Sequence, residues 1–176
     1  MDFQQSQTYI NLLNALKDLL SENTLLELYE RRANEEVLIP ISFLFNTTAR
    51  NSRYIANQLF TILFGETSTL ENLQEASRIE NEELALYREY SEVALEEGFD
   101  EYASLFNGIA NILRNHTLAY DQAIEDIESG QLYCNSQESL WICLGCGNIL
   151  SGLCAPEICP VCGVPGGYYQ QYSVYN

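Results

Sequence analysis

Two C-x-x-C pairs constrain the fold of this chain more than any other feature of its sequence. Cys143 and Cys146 form the first pair, and Cys159 and Cys162 form the second. A glycine directly follows each pair, where a residue without Cβ can adopt a positive φ and direct backbone N–H groups toward sulfur. Two such turns offer four thiolates to one tetrahedral ion. The spacing therefore predicts a four-cysteine metal site.

The sequence leaves the identity of that metal open between iron and zinc, because both accept four thiolates in a tetrahedral arrangement. Two more cysteines, Cys134 and Cys154, lie outside the pairs. We expect them to be free thiols, with a disulfide between them as the alternative.

Charge and hydropathy argue against a nucleic-acid-binding protein and against a membrane protein. Eight Lys and Arg residues stand against 25 Asp and Glu residues, which gives a net charge of −17. Such a charge repels phosphate backbones and anionic lipids, so we expect no nucleic-acid partner and no membrane association. The first residues, MDFQQSQTYI, lack the pattern of a signal peptide, and the longest apolar stretch, Leu38–Phe45, is too short to span a bilayer. These features predict a cytoplasmic protein.

Helical periodicity dominates the chain before the cysteines. Steps of three and four residues predict four helices, at 6–33, 40–64, 69–97 and 99–128. Their inward stripes are mostly apolar, as with Ile55, Leu59 and Ile62 in the second helix, and four such stripes indicate a four-helix bundle. We divide the chain into a bundle at 1–130, a linker at 131–139 and a metal domain with a tyrosine-rich tail at 140–176.

Polar residues interrupt every stripe near the middle of its helix. They are Glu22, Ser52, the pair Glu80 and Glu83, and the single histidine, His116. An unpaired carboxylate is costly to bury, so inward glutamates beside a histidine indicate a metal site or an acid cluster. The alternative is that the glutamates face water and His116 is an ordinary core histidine.

A helical bundle followed by this cysteine knuckle resembles the rubrerythrin family. The likeness is strongest in WICLGCGNILSG, APEICPVCGVP and IESGQLY, and it extends to TLENLQEASRIENEE, EEGFDEYASLFNGIA and SENTLLELY. The resemblance implies a mainly α fold, with a ferritin-like four-helix bundle followed by a small rubredoxin-like domain. It also implies that the four paired cysteines hold one iron that passes electrons to a di-iron site in the bundle. The family uses this relay as an NADH-linked peroxidase that reduces hydrogen peroxide under oxidative stress.

The bundle motifs depart from the family pattern. The family expects Glu-x-x-His from the second and fourth helices, but this chain has Ser52-x-x-Ile55 and Leu113-x-x-His116. Both bridging glutamates and one histidine are therefore missing. Bridging carboxylates offset the repulsion between two cations, so we expect no normal di-iron centre.

Four residues of the family's bundle site remain, namely Glu22, Glu80, Glu83 and His116. They offer three oxygen ligands and one nitrogen ligand, which suit a single iron, manganese or zinc ion. The favoured alternative is a metal-free remnant in which His116 is protonated and pairs with carboxylates. No catalytic residue is assigned.

The connection between the second and third helices predicts a dimer. Ferritin-like bundles need a crossover there, but the five residues of Phe64–Ser68 reach roughly 17 Å, whereas a helix of 25 residues is about 37 Å long. The chain therefore forms an up-down-up-down bundle or a domain-swapped homodimer. We expect the swapped homodimer, an arrangement that some members of the family have.

Two classes of function follow. The first is a rubrerythrin-like electron-transfer protein that uses the four-cysteine iron site with a redox partner protein and lacks normal di-iron peroxidase activity. The second is a non-catalytic structural or assembly protein with zinc in the knuckle and a metal-free bundle. A diverged enzyme with one metal at the bundle residues is a third hypothesis, so the sequence leaves enzymatic activity open.

Overall fold

A computed structural model describes residues 2–173, and four long helices account for most of them. The helices are α1 (Gln7–Glu35), α2 (Ile39–Phe64), α3 (Thr69–Glu96) and α4 (Asp100–Glu128). Their ends agree with the predicted ones to within one or two residues. A small antiparallel sheet follows, so the mainly α fold class with a C-terminal knuckle is confirmed. None of the described helices combines the length and hydrophobicity that crossing a membrane requires.

The chain divides into two compact units, with the boundary between Thr67 and Ser68. In the first unit α1 packs against α2, and in the second α3 packs against α4. The connection between α2 and α3 is short because a signal that ends α2 lies close to a signal that begins α3. Gly65 ends α2 with a φ of 72°, and Ser68 forms a reciprocal capping box with Glu71 at the start of α3.

Small residues form the buried face of each hairpin. The buried residues at seven-residue spacing are Ser42, Ala49, Ala56 and Leu63 in α2, and Ala103, Ala110 and Thr117 in α4. Residues seven apart lie on one side of a helix, and all of these except Leu63 are small, so the two lines let the paired helices approach closely. In the first hairpin Leu16 of α1 packs against Ala56 and Leu63.

The large apolar residues of the predicted stripes lie beside this line rather than on it. Ile55 and Ile62 of α2 are 48% and 59% exposed. Steps of three and four residues along the sequence selected large side chains, whereas the face of α2 that meets α1 consists mostly of small ones. These hairpins therefore leave an apolar face uncovered within their own unit.

The sheet has the strand order β2-β1-β3, with β1 (Cys134–Cys143), β2 (Ile149–Cys154) and β3 (Tyr169–Tyr172) all antiparallel. Its core consists of Trp141, Cys143, Cys159 and Tyr169. Strand β1 begins within the segment predicted as a linker, and β3 lies in the predicted tyrosine-rich tail, whose residues 174–176 are outside the described residues. The predicted domain boundaries stay predictions.

Replacing Ala56 with Leu tests the close packing of the first hairpin. Ala56 is 1% exposed, so the added side chain has no room, and we expect a loss of about 1–3 kcal/mol in unfolding free energy. Ala119→Leu is the matched control, because Ala119 is an exposed alanine of α4. Thermal unfolding followed by circular dichroism measures both variants. Equal melting temperatures for the two variants would contradict the packing described here.

Candidate metal centre

The knuckle is built from two equivalent turns, one in each C-x-x-C pair. The N–H of Gly147 donates to the carbonyl of Cys143 at 2.7 Å, and the N–H of Gly163 donates to the carbonyl of Cys159 at 2.9 Å. Both glycines adopt positive φ, at 78° and 75°. Most residues with a Cβ avoid this conformation. The positive φ predicted for the glycine that follows each pair is therefore confirmed.

The four cysteine sulfurs converge. All of them lie within 4.8 Å of one another, and the Cys143–Cys162 and Cys146–Cys159 sulfurs are each 3.7 Å apart. A tetrahedron with metal–sulfur bonds of about 2.3 Å has edges of about 3.8 Å. The donor set and its spacing therefore fit one tetrathiolate ion.

The two cysteines of each pair differ in exposure. Cys143 and Cys159 are buried, whereas Cys146 and Cys162 are exposed. Cys143 is the last residue of β1, and it lies opposite Tyr169 of β3. The first cysteine of each turn therefore belongs to the core of the small domain, and the second lies at its surface.

Tyr169 is a neighbour of the site that the sequence did not reveal. Its hydroxyl group and the side-chain amide of Asn148 are buried, and neither reaches ordinary hydrogen-bond geometry with a described residue. The interaction of the hydroxyl group with the Cys159 thiolate lowers the pKa of Cys159 to about 6 and raises the pKa of Tyr169 to about 12. A thiolate is therefore favoured at Cys159.

The two exposed sulfurs hold their protons more strongly, because the pKa values of Cys146 and Cys162 are raised. The backbone N–H of Asn148 favours the Cys146 thiolate, but desolvation and the three neighbouring cysteines outweigh it and raise the pKa of Cys146 to about 12. Four thiols this close cannot all ionise unless a cation offsets their repulsion. The electrostatics of the knuckle thus favour a bound cation.

The bundle residues predicted as a remnant site lie in the two hairpins. In the first, the Ser52 hydroxyl group donates to Glu22 at 3.1 Å. In the second, His116 Nδ1 lies 3.0 Å from a Glu80 carboxylate oxygen, and Glu83 is exposed. Within residues 2–173, the only group of three or more Cys, His, Asp or Glu side chains close enough for one ion is the four cysteines.

Ser52 and Leu113, the residues predicted to stand in place of the bridging glutamates, are both buried. The hydroxyl group of Ser52 is engaged by Glu22. Leu113 supplies only apolar atoms. At these two positions the chain therefore offers no carboxylate to a metal pair.

The expectation of free thiols at Cys134 and Cys154 is wrong, because the two residues form a disulfide. Cys134 begins β1, Cys154 ends β2, and the two are direct partners across the ladder. The pairing of β1 with β2 brings the two cysteines together, and this register could not be predicted from the sequence alone.

Known proteins match both the knuckle and the longer chain. A family model described as "Rubrerythrin, rubredoxin-like domain" matches residues 141–170. A rubrerythrin of Porphyromonas gingivalis is 32% identical over 152 aligned positions, which cover 78% of this chain and 76% of that protein. A rubrerythrin of Nitratidesulfovibrio vulgaris is 27% identical over 183 aligned positions, which cover 96% of each.

Among solved structures, nigerythrin in a mixed-valence state is 22% identical, with a TM-score of 0.36, and the match covers 95% of this chain and 87% of that one. The family assignment rests on the sequence relatives, since the identity to the Porphyromonas gingivalis protein extends over more than three quarters of both chains. The segment that matches the family model contains all four cysteines of the knuckle. The chain belongs to the rubrerythrin family.

Proposed function

We propose that this protein transfers electrons through one iron held by Cys143, Cys146, Cys159 and Cys162. The convergence of the four sulfurs within 4.8 Å carries the proposal. When bound, iron supplies a one-electron couple between its ferrous and ferric states. The protein works in the cytoplasm, and its electrons come from or go to a redox partner protein.

The two sides of the four-cysteine site differ in their exposure to water. Trp141 and Tyr169 pack around the buried sulfurs of Cys143 and Cys159, and they exclude water from that side of the site. On the other side, Cys146 and Cys162 are exposed. This exposed edge gives a partner a short path to the ligand sulfurs.

Apolar residues surround the exposed edge. Leu144 and Val161 stand within the two C-x-x-C turns, and they are 62% and 67% exposed. Exposed apolar side chains beside a functional group are typical of a contact surface. The net charge of −17 favours a partner with a positively charged face.

The bundle supports electron transfer rather than peroxide reduction by a di-iron centre. Peroxide reduction needs two electrons, and the positions of both bridging carboxylates hold Ser52 and Leu113. Glu22 and Glu80 instead contact Ser52 and His116 within their own hairpins. A single metal ion at the bundle residues is the less favoured alternative.

We also propose that two chains form a domain-swapped homodimer. Only Gly65–Ser68 connects α2 to α3, and each hairpin leaves large apolar side chains exposed. They include Phe43, Tyr54 and Ile62 in α2, and Leu105, Ile112 and Leu118 in α4. A second copy of the chain is the natural cover for these faces, because the same surfaces are present in both copies.

Metal analysis of the purified protein tests the knuckle. We expect one iron per chain and the red colour of a ferric tetrathiolate. Cys146→Ser should lower the iron content well below one, because it removes one of the four ligands. Cys154→Ser is the matched control and should keep one iron per chain, since Cys154 lies outside the convergent group.

Other outcomes of the same analysis identify the alternatives. A colourless protein with one zinc would contradict electron transfer and support the structural or assembly function. Two metals per chain, falling to one in His116→Ala, would support a metal ion in the bundle. Three metals per chain would refute the loss of the di-iron centre. In the proposed function, His116→Ala leaves both the iron content and any peroxide turnover unchanged.

Tyr169→Phe tests the electrostatic role of the hydroxyl group in chelator-treated protein. The folded pKa of Cys159 is about 6, below the usual value of about 8.5. The ionised thiol therefore adds stability that is fully present above about pH 8.5 and is lost as the pH falls through about 6. We expect the variant to be less stable than the parent above about pH 8.5.

The stability difference should disappear as the pH falls below about 6. Denaturant unfolding at several pH values measures it. Tyr168→Phe is the control, because Tyr168 is exposed. A difference that is the same at every pH would show that the hydroxyl group acts through packing alone.

Sedimentation velocity tests the dimer. We expect the mass of two chains at micromolar concentration, because the exposed apolar faces of the hairpins are then buried. Leu118→Glu in α4 should weaken the dimer, and Leu153→Glu in β2 is the matched control outside the helices. A parent protein that sediments as a monomer of 20.0 kDa would overturn the proposal.

A further inference from the structure

We propose that Cys134 and Cys154 form a second redox site, a reversible disulfide that exchanges two electrons with dithiol and disulfide reagents. The pair is separate from the metal knuckle. The four knuckle sulfurs form one convergent group, and neither Cys134 nor Cys154 belongs to it. The inference does not depend on which metal the knuckle holds.

The register of the sheet positions the pair. Cys134 is the first residue of β1, Cys154 is the last residue of β2, and the two residues are partners across the ladder. Their covalent link encloses the first C-x-x-C turn but not the second. The link therefore closes the end of the β1–β2 hairpin that is opposite the knuckle.

The pairing of β1 with β2 is otherwise weak at this end. Regular partners run from Ser139 to Ile142, and the register then shifts between Ser139 and Cys134. Beyond the disulfide, the backbone bond from the N–H of Ala155 to the carbonyl of Tyr133, at 2.8 Å, joins the two segments. The disulfide is therefore one of the main links between the start of β1, which follows α4 in the chain, and the end of β2.

The two cysteines differ in accessibility, which sets the direction of exchange. Cys154 is exposed, whereas Cys134 is partly buried and lines a cavity of about 350 Å³ together with Tyr133, Trp141 and Tyr169. Attack on a disulfide occurs at the sulfur that a thiolate can reach. Cys154 is therefore the site of attack, and Cys134 provides the leaving thiolate.

The reaction balances with a dithiol as the reductant. A thiolate of the dithiol attacks Sγ of Cys154, the bond between Cys154 and Cys134 breaks, and Cys134 leaves as a thiolate that takes up a proton. The second thiol of the reagent then attacks the mixed disulfide and releases Cys154, which is protonated in turn. Two electrons and two protons pass to the protein, and the reagent becomes a disulfide.

Reduction changes the segment between α4 and the sheet. With the disulfide open, residues 131–139 keep few contacts with β2, because the ladder is irregular there. The regular pairs at Ser139–Ile142 and the turns of the knuckle are unaffected. We expect the segment to loosen while the metal stays bound.

Thiol counting on the metal-loaded full-length protein tests the site. Samples are equilibrated in buffers of reduced and oxidised glutathione or in dithiothreitol, quenched with acid, alkylated after denaturation and mapped by mass spectrometry. We expect a peptide pair linked through Cys134 and Cys154 in oxidising buffer, and six alkylated cysteines after dithiothreitol. The link should return in oxidised glutathione, with the metal content unchanged throughout.

Single variants test the direction of exchange. Cys134→Ser leaves the exposed Cys154, which should form a mixed disulfide with glutathione about tenfold faster than the Cys134 that remains in Cys154→Ser. Equal rates would overturn the assignment of Cys154 as the site of attack. The absence of a 134–154 link in every glutathione buffer, or a link from either residue to a knuckle cysteine, would overturn the redox site itself.

Hydrogen exchange tests the structural consequence. Amide exchange in residues 131–139 should increase on reduction of the parent protein. The double variant Cys134→Ser/Cys154→Ser should show the fast exchange in both buffers, with no response to dithiothreitol. An unchanged exchange rate in the reduced parent would show that the disulfide does not restrict residues 131–139. The proposed loosening of this segment on reduction would then be wrong.

Discussion

The convergence of four cysteine sulfurs is the constraint on which the small domain depends. Two of the four residues in its core, Cys143 and Cys159, belong to that group. A core of this size provides little apolar burial, and small domains of this kind need a metal or a cross-link for stability. Binding a cation therefore adds to the stability of the folded domain, because the same side chains form the core and the metal site.

The electrostatics of the helices are different, because two of the three carboxylates predicted for the bundle site, Glu22 and Glu80, have partners that are not metals. Ser52 donates to Glu22, and His116 contacts Glu80. Partial burial costs less free energy for a carboxylate that accepts a hydrogen bond or faces a histidine than for an isolated carboxylate. Glu22 and Glu80 therefore have contacts within their own hairpins that do not require a cation.

The helices and the knuckle could be predicted because their signals are local. Ser68 and Glu71 cap α3, and Gly65 ends α2, so the sequence itself marks the boundaries. The glycines after the two pairs specify the turns in the same way. Each of these predictions needs only a few neighbouring residues.

The features that sequence reasoning missed depend on register and on packing between segments. The line through Ser42, Ala49 and Ala56 is the contact face of α2, but hydrophobic stepping favours larger side chains nearby. Tyr169 reaches Cys159 because β3 pairs with β1, and Cys134 meets Cys154 because β1 pairs with β2. No spacing rule within one segment contains that information.

In the proposed function, the exposure of Cys146 and Cys162 explains how the knuckle can have a role without a di-iron centre in the bundle. The first cysteine of each turn is buried in the core, and the second is exposed. In the proposed function, an electron enters or leaves through Cys146 or Cys162 without passing through the helices. In the proposed function this edge is sufficient for exchange with a partner, and the bundle residues are free to diverge because the redox site does not depend on them.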